Sequence, residues 1–288
     1  MASRQQIKRR IGSVKNTRQI TKAMQLVAAS KLRKAQEAVQ QPRAYAELAR
    51  RILTRLRQLG DESELKLFTT RPVKRRLIIA ITSDLGLAGA YDANVLRTLI
   101  TEAKSDKANG VGTAVVAIGR KAARSTAHIA DMDVEEVYSG LPGQPTAETL
   151  RPILTSIVNK FAEGQVDAVD IIYTKFISSI NTKVQLQRIL PAGFEAVELD
   201  ENEQHFDVEP SAGDLLNAAS QRLLEAQLYQ AFLEASASEQ SMRMLAMKNA
   251  TDNASDLIDD LTLEFNNARQ AAITQELAEI TGGAEAMK

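Results

Sequence analysis

The chain has no cysteine and no tryptophan, only two histidines, His128 and His205, and aromatic residues make up just 4% of its 288 positions. Without cysteine there is no disulfide, no thiolate nucleophile, no iron–sulfur cluster and no Cys-ligated zinc site. Two histidines this far apart in sequence do not suggest a His-rich metal site. No apolar run approaches the roughly 18 residues of a membrane-spanning helix, and the start MASRQQIKRR lacks the apolar core of a secretory signal. An excess of one charge is missing too: 36 Lys and Arg balance 36 Asp and Glu. A composition of 44% hydrophobic and 25% charged residues rules out a wholly disordered chain. The expectation is a soluble, intracellular protein, which leaves room for a membrane-bound partner.

Charge is lopsided along the chain although it sums to zero. Residues 1–36 hold ten basic residues and no acidic one, whereas residues 196–264 hold fifteen acidic residues against Arg222, Arg243 and Lys248. The first segment, to about residue 59, reads as one long helix. Ile7, Ile11, Val14, Met24, Val27, Leu32 and Val39 recur at helical spacing among Lys, Arg, Gln and Ala, with Gly12 and Pro42 as interruptions. From Asp214 to Thr281 the chain contains neither Gly nor Pro. Leu233, Ala237, Gln240, Met244, Met247, Thr251, Ala254, Ile258, Leu261, Phe265, Ala268 and Ala272 step alternately by four and three, a heptad seam. At about 1.5 Å per residue such a helix runs to about 100 Å and needs another helix to cover its stripe. The amino-terminal helix is the available partner, most simply antiparallel, with the carboxyl-terminal helix expected to project beyond Ser3 from Leu257 on.

Between them, about 72–195, strand and helix patterns alternate, which predicts a small α/β domain. Arg75–Ser83 is a β-rich run leading through a loop into a helix toward Ile100, and Val115–Ile118 is a second strand. A helix is expected over Ala147–Phe161, then two adjacent strands, Ala168–Ile180 and Thr182–Leu190, with at least one antiparallel pair. The expected segments are thus 1–60, 72–195, 211–281 and a tail at 282–288.

No constellation for bond chemistry emerges. SDLGLAGAY lacks both GxGxxG and a Walker lysine, so a tight strand-to-helix turn with Asp84 as cap is the better reading than a phosphate loop. Asp256, Asp259, Asp260 and Glu264 have the spacing of a solvated helix face rather than a metal site. The basic amino-terminal helix admits three readings: nucleic acid, a membrane surface, or docking to an acidic protein surface. A shaft-like interaction protein or scaffold fits the residues better than an enzyme.

Three segments carry a specific resemblance: RRIGSVKNTRQITKAMQLVAASKL (Arg9–Leu32), TSDLGLAGAYDANV (Thr82–Val95), and the run from SEQSMRMLAMKNATDNASDLIDDL through NNARQAAIT to GGAEAM (Ser238–Met287). Together they resemble the gamma subunits of F-type rotary ATP synthases, over essentially the whole chain. The resemblance implies an α/β fold class: a long antiparallel coiled coil of the two terminal helices plus a small Rossmann-like α/β domain. It implies a non-catalytic rotor shaft that couples ion-driven rotation of the membrane c ring to ATP synthesis or hydrolysis by an alpha/beta hexamer. Epsilon is a further implied partner, delta only within the whole complex. No cofactor and no nucleic acid are implied, nucleotide and magnesium belonging to alpha and beta. The competing reading is a basic coiled-coil scaffold or nucleic-acid-binding protein.

Residue by residue, the resemblance places Lys8, Arg9, Arg10, Met24, Lys31, Arg33, Lys34, Arg243 and Lys248 at contacts with the acidic lever and sleeve of the hexamer. It places Arg269 and Gln270 at a loop of beta, the tip from Ile273 in an upper bearing, and His205 and Glu209 near the c ring. Leu85 and Ala88 stand where the family's internal motif usually has Arg and Cys, so no role of that Arg or Cys carries over. The absence of a cysteine-bearing insertion excludes thiol control. The start at Met without a transit peptide implies a bacterial chain on the cytoplasmic face of the inner membrane.

Overall fold

The structure is a computed structural model, and it describes residues 4–59, 66–127, 129, 132–192 and 212–285. Two compact units are distinguished, residues 1–28 with 243–288, and residues 29–242. Helix α1 (Arg4–Leu59) and helix α5 (Ala212–Glu285) each contribute to both. Neither Gly12 nor Pro42 interrupts α1. Helix α5 runs past the stop expected at Thr281, taking Gly282 and Gly283 into its last turn.

In the first unit α1 and α5 pack as an antiparallel coiled coil. The seam of α5 is the one expected from its four-three steps: Met247, Ala254, Ile258 and Leu261 are buried, and Thr251, Phe265, Ala268 and Ala272 half-buried. On α1 the same alternation continued from Ile7, Ile11 and Val14 lands on Arg18, Thr21, Gln25 and Ala28. Val27, one of the apolar positions at helical spacing, is 55% exposed, while its neighbour Ala28 is 1% exposed. Small side chains let the backbones approach closely. The hydroxyls of Thr21 and Thr251 meet at 2.8 Å, one donating to the other, while the hydroxyl that accepts there is free to donate within its own helix, Arg18 O lying 3.1 Å from Thr21 Oγ1 and Met247 O 2.7 Å from Thr251 Oγ1. That register keeps α5 in the seam as far as Ala272. The projecting part begins at Ile273, not at Leu257 as expected, and residues 273–282 are exposed throughout.

The second unit is built on a five-stranded sheet. Its strands are β1 (Arg75–Ile81), β2 (Gly112–Ile118), β3 (Asp133–Tyr138), β4 (Ala168–Phe176) and β5 (Thr182–Leu190), in the order β3-β2-β1-β4-β5. The first four strands run parallel and β5 pairs antiparallel with β4, the expected antiparallel pair. Strand β1 is central, and its alternation serves both faces. Leu77, Ile79 and Ile81 join α4 (Ala147–Ala162) and α5 residues Leu224, Leu228 and Phe232 in one core. Ile78 and Ala80 join Val95 and Leu99 of α2 (Tyr91–Ala108) in the other.

At the amino ends of these strands a buried ionic cluster supplements the apolar layers. Arg76 donates to Asp106 at 2.8 Å, Glu102 at 2.9 Å and Asp170 at 3.2 Å, and Arg188 also holds Asp170. Thr113 donates to Asp106 at 3.0 Å, so one guanidinium links β1, β2, β4, β5 and α2. Removing it would leave buried Asp106 without its guanidinium partner and buried Asp170 with Arg188 alone. Arg76→Met is expected to lower unfolding free energy by about 3–5 kcal/mol, read by urea titration of the full chain; a loss under about 1 kcal/mol would contradict this role.

Two further carboxyls tie the sheet, Glu136 on edge strand β3 and Asp167 just before interior strand β4. Burial pushes Glu136 upward, but hydrogen bonds from Lys160, Ser156 and Tyr138 outweigh it and hold its carboxyl below the ordinary range. Burial likewise opposes Asp167, whose pKa is lowered by the backbone N–H groups of Lys74 and Arg75 and by Arg71. A carboxyl with a depressed folded pKa stabilises the fold above its unfolded value and loses that contribution as pH falls through the folded one. Urea midpoints of the chain are therefore expected to fall steadily from about pH 5 toward about pH 2, and less steeply in Glu136→Gln.

Candidate functional site

The strand-to-helix connection after β1 is where an α/β sheet of this topology could hold a phosphate, since the chain order reverses between β1 and β4. Here the chain fills that place itself. The carboxylate of Asp92, in the first turn of α2, accepts from Ser83 N and Ser83 Oγ, both at 2.8 Å. An anion at this helix terminus would meet a carboxylate already there. Thr82 Oγ1 is committed as well, donating to Ile118 O at 3.0 Å and accepting from Ala122 N at 2.8 Å. Asp84, expected to cap α2, instead accepts from Arg120 N at 3.0 Å and Gly140 N at 2.8 Å, tying the α3 (Arg120–Thr126) and β3 ends to the loop. At Gly119, with φ +92°, an added Cβ would lie 2.3 Å from Thr82 O, so the turn admits glycine alone. Among the described residues no group of three His, Asp or Glu is placed to hold a metal ion, and no helix is long and apolar enough to cross a membrane.

The features that look outward are on the helices. In the first unit, Ile20, Met24 and Val27 recur at i, i+4 and i+7 on α1, with Ile20 and Val27 well exposed and Met24 half-buried. This is an apolar stripe alongside the Thr21, Gln25 and Ala28 seam. A run of exposed large apolar side chains on a charged helix marks an interaction face. Lys8, Arg9 and Arg10 are exposed within one turn near its start. On α5, Lys248, Arg269 and Gln270 are exposed, whereas Arg243 is buried and engaged within the chain. Beyond them Ile273, Leu277 and Ile280 form a second exposed apolar stripe at i, i+4 and i+7.

In the second unit Lys31, Arg33 and Lys34 are exposed on α1. Arg33 pairs with Glu37 at 3.4 Å, an exposed helical pair of small energetic consequence. The Lys34 carbonyl accepts from Gln144 Nε2 at 2.9 Å. His205 and Glu209 lie outside the described residues. The stripe of Ile20 and Val27 is the feature sequence reading missed, because Val27 was grouped with Ile7, Ile11 and Val14 as one set of apolar positions and Ile20 was left out of it. Keeping the four-three phase strictly from Ile7 would have revealed it.

Comparison with known proteins decides what this arrangement belongs to. Residues 3–287 match the protein family described as ATP synthase. Over the full length of both chains, the sequence is 38% identical to the ATP synthase gamma chain of Acidithiobacillus ferrooxidans, and 40% identical to those of Cupriavidus metallidurans and Heliobacterium modesticaldum. The chain belongs to the ATP synthase gamma-chain family. Its fold is similar to that of a chain in the central stalk and c-ring structure of the Tetrahymena thermophila mitochondrial ATP synthase, with a TM-score of 0.63 and 26% identity over 80% of this chain and 99% of that one. A chain of the Euglena gracilis mitochondrial ATP synthase shares the fold with a TM-score of 0.66 and 18% identity, over 99% of this chain and 94% of that one. As a gamma-chain homologue, the protein is a non-catalytic subunit.

Neighbouring positions on α1 separate seam from face. Ala28→Leu inserts bulk where the helices meet and is expected to cost about 1–3 kcal/mol, whereas Val27→Ser on the exposed stripe is expected to stay within about 0.5 kcal/mol of the parent. Thermal melting of the two variants checks the phase; equal losses would contradict it.

Proposed function

We propose that this chain is the central rotor shaft of an F-type ATP synthase. It couples ion-driven rotation of a membrane c ring to the catalytic sites of an alpha/beta hexamer, and runs in reverse during hydrolysis. Full-length identity of 38–40% to gamma chains carries the reading. The outward apolar stripes on paired helices support it, because a shaft must slide against its housing. Apolar side chains permit this better than fixed ion pairs, since their contacts are not directional. The chain breaks no bond. It makes different contacts with three otherwise equivalent sites and so drives them through different states.

In this reading Lys8, Arg9, Arg10, Met24, Lys31, Arg33, Lys34, Arg243 and Lys248 belong to the lever and sleeve contacts. Arg269 and Gln270 reach a loop of beta, Ile273, Leu277 and Ile280 lie in the bearing, and His205 and Glu209 approach the c ring. Arg243, being buried, acts there through the helix it braces. Epsilon joins the α/β domain, delta belongs to the whole complex, and the subunit is peripheral on the cytoplasmic face of a bacterial inner membrane.

Reconstitution of alpha and beta with and without this chain tests the proposal. Turnover of ATP is expected to rise when the chain is added, and retention on nucleic acid to be absent at physiological salt. Met24→Lys places a cation on the apolar stripe beside the acidic lever. It is expected to preserve folding within about 1 kcal/mol and to preserve hydrolysis, while ion pumping falls. No complex and no stimulation with the parent chain would return the basic coiled coil to a scaffold or nucleic-acid role.

A further inference from the structure

Within the second unit, α5 meets the sheet through two kinds of surface. Leu224, Leu228, Ala231 and Ala235 enter the apolar core. Beside them Glu234, Ser238 and Ser241 recur at i, i+4 and i+7, and all three are buried, the two serines at 0% and 2% exposure. Ser238 Oγ donates to the carbonyl of Thr174 at 2.9 Å, near the end of β4. Ser241 Oγ donates to the carbonyl of Ser179 at 2.6 Å, in the turn between β4 and β5. Glu234 accepts from Gln230 Nε2 at 2.6 Å and faces Tyr173 of β4, whose hydroxyl is held protonated by burial and by that carboxylate. Helix α1 reaches the same turn: Gln36 Nε2 donates to Ser179 Oγ at 3.4 Å. The turn is itself braced, Ile177 N and Ser178 N both donating to Asn181 O.

Stability alone does not call for this chemistry. Alanine at 238 and 241 would continue the apolar face, and buried hydroxyls contribute only about 1 kcal/mol each in net terms. Apolar contact, however, is non-directional, so a helix packed only by methyl groups can roll against a sheet at low cost. A hydrogen bond to a carbonyl is confined in distance and angle. Two of them a helical turn apart, on consecutive segments of one hairpin, fix the rotation of α5 about its own axis.

We propose that the β4–β5 turn, with Ser238 and Ser241 of α5 and Gln36 of α1, is a keyed joint that passes torque between the sheet and the two helices. The inference rests on the rotor reading and adds the residues that prevent roll. These are positioning residues: they touch no partner and act through the orientation of the helices.

The test uses the full chain carrying Ser238→Ala with Ser241→Ala, against Ser255→Ala, whose hydroxyl donates within its own helix to Thr251 O. Amide exchange of Ile177 and Ser178 is expected to quicken roughly tenfold in the double variant and to stay at the parental rate in the control. In the complex with alpha and beta, stalled and bearing a bead on the α/β domain, the angular spread of the bead is expected to widen while ATP turnover is retained. Quickened exchange without a wider spread would overturn the joint, as it would then be local packing only, and so would no change in either. If the double variant does not fold, Gln36→Ala with Ser179→Ala removes the α1 arm from the less buried side and is held to the same two outcomes. A parent chain that neither assembles nor turns would overturn the rotor reading, and the torque claim with it, whereas an unchanged spread in the double variant, beside a parent complex that turns, overturns the joint alone.

Discussion

Two helices come close enough for a hydroxyl to meet a hydroxyl only when little else stands between them. The rest of the first unit depends on that close approach at Thr21 and Thr251. Ala28 and Ala254 flank it, and bulkier side chains, Ile7, Ile258 and Leu261, return toward the start of α1. Around that point the large apolar side chains lie outside the seam. Ile20 and Val27 of α1 and Ile273, Leu277 and Ile280 of α5 are left facing outward, which is the arrangement a shaft in a housing requires and an isolated coiled coil does not.

The α/β unit answers a different demand. Its sheet is held by apolar layers on both faces, then tied at one end by the Arg76 cluster and at the other by hydroxyl-to-carbonyl bonds to α5. Directional contacts therefore lie at the two ends of the strands, and non-directional ones between them. The topology is one that elsewhere receives nucleotides, yet Asp92 and Thr82 consume the donors of the turn after β1.

Much of this was legible in the sequence because long helices advertise their period. The four-three steps from Met247 to Ala272 appear as the buried face of α5 without correction. The matching seam on α1 was harder to see because polar Thr21 and Gln25 and small Ala28 occupy it, while hydrophobic Met24 and Val27 do not. Strand β3 escaped notice since DVEEVY is an edge strand carrying three acidic residues, stabilised by Arg75 and Lys160 from distant positions. Asp84 was assigned to the nearest helix, whereas its partners are 36 and 56 residues away. Pairings of that range leave no local pattern. The outward residues came from family resemblance rather than spacing, and burial distinguishes Arg243 from the others as a residue held inside the chain.

The most direct measurement is single-molecule observation of a bead fixed to the α/β domain, in a complex of this chain with alpha and beta supplied with ATP. Unidirectional rotation in three steps per turn, coupled to turnover, is what a central shaft produces. Turnover with a stationary or randomly diffusing bead would contradict the account.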